Sequence, residues 1–119
     1  MLTWKITTRP LFEAWFEEQN EAVQEETLSV LNILREYGPY IGRPQVDTLK
    51  DSKYRNMKEL RIQVGGHPIR ICFVFDPMRK GVILCAGNKK GHDEKRFYSK
   101  LIRLADMEYS IYLKGIYKI

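Results

Sequence analysis

The chain has 119 residues, 44% hydrophobic and 29% charged, with 20 Lys+Arg against 15 Asp+Glu. That length fits one domain spanning residues 1–119 rather than two cores, and the apolar fraction excludes wholesale disorder. No stretch approaches the roughly 18 consecutive apolar residues of a membrane span, and two cysteines are too few for a disulfide framework.

The charge is unevenly spread. Residues 1–36 hold three basic and seven acidic side chains, a balance of −4, whereas residues 37–119 carry +9. Positive charge gathered in one part of a small domain suits a polyanionic partner, although a solvated basic surface would give the same count. The opening MLTWKITTRP lacks an apolar stretch, so export is not expected and the cytoplasm is the expected location. Cys72 and Cys85 lie in apolar runs and read as reduced, buried small hydrophobes.

In chain order, Trp4-Lys5-Ile6-Thr7 reads as a short strand. Pro10 opens a helix over 10–18, in which Leu11 with Trp15 and Phe12 with Phe16 stand four apart. Asn20 is placed to cap a second helix over 21–37, whose face is Val23, Val30, Leu31 and Leu34, and Gly38-Pro39 ends it. Residues 38–56 lack a period and read as an ordered loop. The period then becomes two. Leu60, Ile62 and Val64 fall on one side of a strand and Glu59, Arg61 and Gln63 on the other. Gly65-Gly66 marks a tight hairpin. In the return strand, Ile69, Ile71, Phe73 and Phe75 share one face, with Arg70, Cys72 and Val74 opposite. Val82 to Gly87 makes a third strand. Asp93 can cap a final helix striped by Phe97, Leu101, Leu104, Ala105 and Tyr112, which Gly115 is expected to end before an apolar tail, residues 116–119. The order β-α-α-β-β-β-α describes an α+β domain with an antiparallel meander, one face packed on helices.

Zinc, nucleotide and serine-hydrolase signatures are missing, and His67 and His92 stand far apart, so neither metal nor cofactor is expected. What remains is a cationic set, Lys53, Lys58, Arg61, Arg70, Lys89, Lys90 and Arg96, together with Tyr98. Each arginine alone fits a strand face turned to water. Arg61 and Arg70, however, flank a two-residue turn with matching parity, so the set can converge on one hollow on the outer side of the strands. Fixed guanidinium and ammonium groups stabilise the charge that builds on a phosphate when a ribose 2′-OH attacks it. Tyr98 could move a proton or stack an unpaired base, and a crowded lysine could serve as base. Plain RNA or DNA binding would use the same residues.

The segments Gly42-Arg43-Pro44, Leu49 to Tyr54, Asn56 to Arg61, Arg70 to Pro77, Gly87-Asn88-Lys89-Lys90 and Arg96-Phe97-Tyr98 resemble the phage-derived HigB-like toxins of the RelE/ParE superfamily. The resemblance runs through nearly the whole chain and implies the RelE-like fold. It also implies a type II toxin, a ribosome-dependent mRNA endonuclease acting in the A site, against mRNA and rRNA, with a HigA-like helix-turn-helix antitoxin as partner. By position, it assigns catalysis to Arg61, Arg70, Lys90 and Tyr98 and a hold on the RNA to Lys89; Lys53, Lys58 and Arg96 of the cationic set, with His92, are expected to contact RNA as well. Some members carry a histidine near the C-terminus; the tail YLKGIYKI has none, and the general base stays unassigned. A non-catalytic RNA- or protein-binding inhibitor on the same scaffold is the alternative.

Overall fold

A computed structural model describes residues 3–117. The elements are β1 (Lys5–Thr8), α1 (Pro10–Glu17), α2 (Glu21–Tyr37), a 3-10 turn (Gly38–Tyr40), β2 (Val46–Thr48), β3 (Lys58–Val64), β4 (His67–Phe75), β5 (Lys80–Asn88) and α3 (Glu94–Tyr117). The local signals act as their chemistry dictates. Asn20 Oδ1 accepts the Val23 N–H at 2.9 Å, and Asp93 Oδ2 accepts that of Arg96 at 3.0 Å. Gly38 closes α2 at φ +55°, where an added Cβ would lie inside the Trp4 indole. Gly65 and Gly66 both take positive φ, as the two-residue turn between β3 and β4 demands.

Five strands form one sheet in the order β1-β5-β4-β3-β2. Three features differ from the sequence expectation. First, the stretch 38–56 contributes β2, which pairs Val46 with Leu60; three residues with one buried apolar side chain are too short to show a period. Second, β1 runs parallel to β5, so the sheet is mixed. Third, α3 continues through Gly115 to Tyr117, because an exposed glycine costs a helix only about 1 kcal/mol. The other two positions of the expected tail, 118 and 119, lie outside the described residues.

Helices cover both faces of the sheet. Phe12, Val23, Leu31 and Leu34 of α1 and α2 pack on Leu60, Ile62, Ile69, Ile71, Phe73 and Ile83. On the other face, Leu101, Ala105, Tyr109 and Tyr112 of α3 pack on Cys72, Val74, Val82 and Leu84. The expectation of one packed face is therefore corrected. α3 lies over β4 and β5 and leaves the polar side of β3 open, which creates a cleft. Two buried acids fasten α3 in place. Glu108 accepts Arg9 Nε at 2.9 Å, and Asp76 accepts the Tyr112 hydroxyl at 2.6 Å. Cys72 and Cys85 are free and buried opposite each other, and the neighbouring Cys85, followed by burial, pushes the Cys72 thiol well up. No helix among the described residues is long and apolar enough to cross a membrane.

Candidate functional site

Strand alternation puts Glu59 and Arg61 on the face of β3 that looks toward α3, and the register sets Arg70 of β4 directly opposite Arg61. Two like charges across a strand pair repel each other, so this arrangement needs a counter-ion. Glu59 supplies it. The residue is only 4% exposed, and Oε2 accepts from Arg61 Nη2 at 3.1 Å and Nε at 3.3 Å. Oε1 lies 3.6 Å from Arg70 Nε and accepts the Tyr98 hydroxyl at 2.8 Å. Arg70 Nε in turn donates to Tyr98 Oη at 3.1 Å, which closes a ring of three side chains, Glu59, Tyr98 and Arg70, with Arg61 tied to it through Glu59. β2 adds Asp47, whose Oδ2 accepts from Arg61 Nη2 at 3.2 Å and from Arg43 Nη2 at 3.0 Å. The Arg43 hydrogen bond, then that from the Thr48 N–H, holds the Asp47 carboxyl below its usual range.

Tyr98 reaches this ring because α3 starts close to the sheet. Arg70 pairs with Gly87 of β5, and an added Cβ at Gly87 would sit 3.1 Å from the Phe97 ring. Glycine thus lets the first turn of α3 settle on β5. Burial, and then the hydrogen bond to Glu59, push the Tyr98 hydroxyl up to about 12, against a smaller opposing effect of Arg70. The phenol therefore stays protonated at neutral pH. Lys89, just past β5, holds its ammonium 5.7 Å from the Tyr98 ring centroid and 2.8 Å from Glu94 Oε1, and this contact lowers the Glu94 carboxyl.

The cleft has a volume of about 1010 Å³. Six cations line it (Lys50, Arg61, Arg70, Lys89, Lys95 and Arg103), along with the carboxylates of Asp51, Glu59, Glu94 and Asp106. Arg61, Arg70, Lys89 and Tyr98 thus come together, but other predicted residues do not join them. Lys90 is exposed beyond the cleft, so Lys89 alone of the pair lines it. Lys58 belongs to the α2 side of β3, where Nζ donates to Thr48 Oγ1 at 3.1 Å. The Lys53 ammonium lies over the Tyr54 ring, 5.2 Å from its centroid. His92 and Arg96 line a separate groove on the other side of Phe97. The guanidinium groups are also not free: both share Glu59, a residue the sequence reading placed on the polar face without giving it a role. Parity puts it on the same face, two positions before Arg61, but only the register with Arg70 shows what the acid is for. Among the described residues, no group of three or more acids, histidines or cysteines is arranged to hold a metal ion.

Comparison with known proteins adds four findings. Residues 14–110 match the family described as phage-derived protein Gp49-like (DUF891). The candidate toxin HigB3 of Mycobacterium tuberculosis is 41% identical over 97 residues, 82% of either chain. The candidate toxin HigB2 of the same organism is 38% identical over 101 residues, 84% of this chain but only 50% of its own length. A free-state structure of E. coli toxin RelE with two arginine-to-alanine substitutions superposes with a TM-score of 0.56, at 11% identity, over 84% of this chain and 98% of that one. This last likeness is one of fold alone.

Proposed function

This chain belongs to the phage-derived Gp49-like family, as a HigB-like toxin of the RelE superfamily, and from that premise we propose that it is a ribosome-dependent endoribonuclease that cuts mRNA in the A site. The observation that supports this reading is the meeting of Arg61, Arg70 and Tyr98 around the nearly buried Glu59 carboxylate inside a cationic cleft. In the proposed reaction the ribose 2′-oxygen attacks the adjacent phosphorus, the bond to the 5′-oxygen breaks, and a 2′,3′-cyclic phosphate remains. Glu59 takes the 2′ proton, the general-base role of a side-chain carboxylate. Arg61 and Arg70 shift from Glu59 toward the phosphate as its charge grows and the carboxylate is neutralised. Tyr98, protonated at neutral pH, serves as donor to the leaving oxygen rather than as base. Lys89 anchors the backbone. The reading places the protein in the cytoplasm with a cognate helix-turn-helix antitoxin.

The test is incubation with programmed ribosomes, comparing the parent with Arg70→Ala and mapping the new 5′ ends. Codon-phased cuts ending in cyclic phosphate, lost in the variant, are expected. Translation arrest by the parent on intact message would overturn the nuclease reading. It would favour a contact inhibitor, for which the carboxylates neutralising both arginines would be the structural reason.

A further inference from the structure

Phe97 and Tyr98 are neighbours in sequence but serve different hollows. Tyr98 lines the cleft, whereas Phe97 lines a groove of about 500 Å³ with Gly87, His92, Arg96, Lys100 and Leu104. A third hollow of about 470 Å³ joins them across the exposed face of α3. It shares Lys95, Ser99 and Arg103 with the cleft, and Asp93, Arg96 and Lys100 with the groove. The three are therefore one continuous track over the first half of α3, carrying four exposed cations.

We infer that single-stranded RNA follows this track, and that the groove beside Phe97 seats the base of a nucleotide flanking the one in the cleft; the inference rests on the nuclease reading above. Two features favour a nucleotide over an acidic peptide. One is an aromatic platform: the His92 and Phe97 rings lie 6.2 Å apart at 34°, and Phe97 is fixed edge-on against Tyr98 at 5.3 Å and on Gly87. Unpaired bases stack on such rings whatever their sequence. The other is the interleaving of that platform with Arg96 and Lys100, which suits phosphates on either side of a seated base. The carboxylates nearby are already engaged. Asp93 caps α3 through the Arg96 N–H, and Glu94 is held by Lys89.

The experiment measures fluorescence anisotropy of a short 2′-O-methyl RNA, which lacks the attacking hydroxyl, against salt concentration. Arg96→Ala/Lys100→Ala should flatten the log–log salt slope by about 1.4, at roughly 0.7 for each phosphate no longer neutralised. His92→Ala should weaken binding about fivefold or more with the slope unchanged, because a stacked ring carries no counterions. Lys5→Ala/Lys114→Ala, an equal charge change on exposed residues outside the track, should leave the slope alone. An unchanged slope in Arg96→Ala/Lys100→Ala, or an equal drop in the control, overturns the track while leaving the cleft reading standing. Failure of the parent to bind at all also overturns the track, whereas the cleft reading, which concerns message held by the ribosome, stands or falls on the programmed-ribosome assay.

Discussion

Replacing Glu59 by glutamine tests the centre of the site with almost no change of shape. The amide keeps one oxygen for the Tyr98 hydroxyl but turns an NH2 toward Arg61, which now meets a donor where it had an acceptor. Each hydrogen bond to a charged partner is worth about 1.5–3 kcal/mol, and two from Arg61 disappear. The Arg61 side chain is 36% exposed and keeps Asp47, so water and the second carboxylate offset much of that loss. We expect a net loss of ~2 kcal/mol, which lowers the thermal midpoint of a domain of this size by roughly 8 °C. Circular dichroism melting reads this directly. On programmed ribosomes the cutting rate should fall by about two to four orders of magnitude, the usual contribution of a positioned proton acceptor. A variant that melts with the parent and cuts within about threefold of its rate would refute both the clamp and the proton-acceptor role.

Three further outcomes are expected. The folded chain holds the Tyr98 and Tyr109 protons up to about 12, above the ordinary phenol, and that of Tyr112 higher still, chiefly through burial. Stability should therefore be intact below pH ~10 and fall as pH rises through ~12, visible as earlier urea midpoints on the alkaline side; a rise in stability there would contradict the assignment. Thr27→Val should gain about 1 kcal/mol in urea titration, because the Thr27 hydroxyl is fully buried with no partner among the described residues. A loss would mean that the hydroxyl is satisfied after all. Gly38→Ala should cost about 2–4 kcal/mol, since φ is +55° and the methyl group would enter the Trp4 ring; tryptophan emission that fails to shift would argue against that packing.

Much of this architecture was legible because its signals are local. Asn20, Gly38, Gly65-Gly66 and Asp93 each act within a few residues, and strand alternation by itself puts Arg61 and Arg70 on one side of neighbouring strands. What escaped was non-local. The three residues of β2 become a strand only because the edge of β3 is open to them, and nothing in Val46-Asp47-Thr48 announces it. The parallel direction of β1 is set by where α1 and α2 return the chain. Glu59 was hidden by its own type: an acid in a basic set looks like surface, and only the direct pairing of Arg61 with Arg70 shows why one is needed there. Lys90 and Lys89 were indistinguishable as a doublet until the turn after β5 aimed one inward and left the other in solvent.

The partnership of β1 with β5 bears on how the chain matures. Its opening residues, Lys5 to Thr8, find their hydrogen-bonding neighbours some 75 positions later, at Lys80 to Ile83, and the cleft gains Tyr98 and Arg103 only after that. A nascent polypeptide cannot close its border strand until residues 80–83 have emerged, or finish the cleft until residues 98–103 have followed. Border strand and cleft are therefore completed together, as late steps in the folding of this domain.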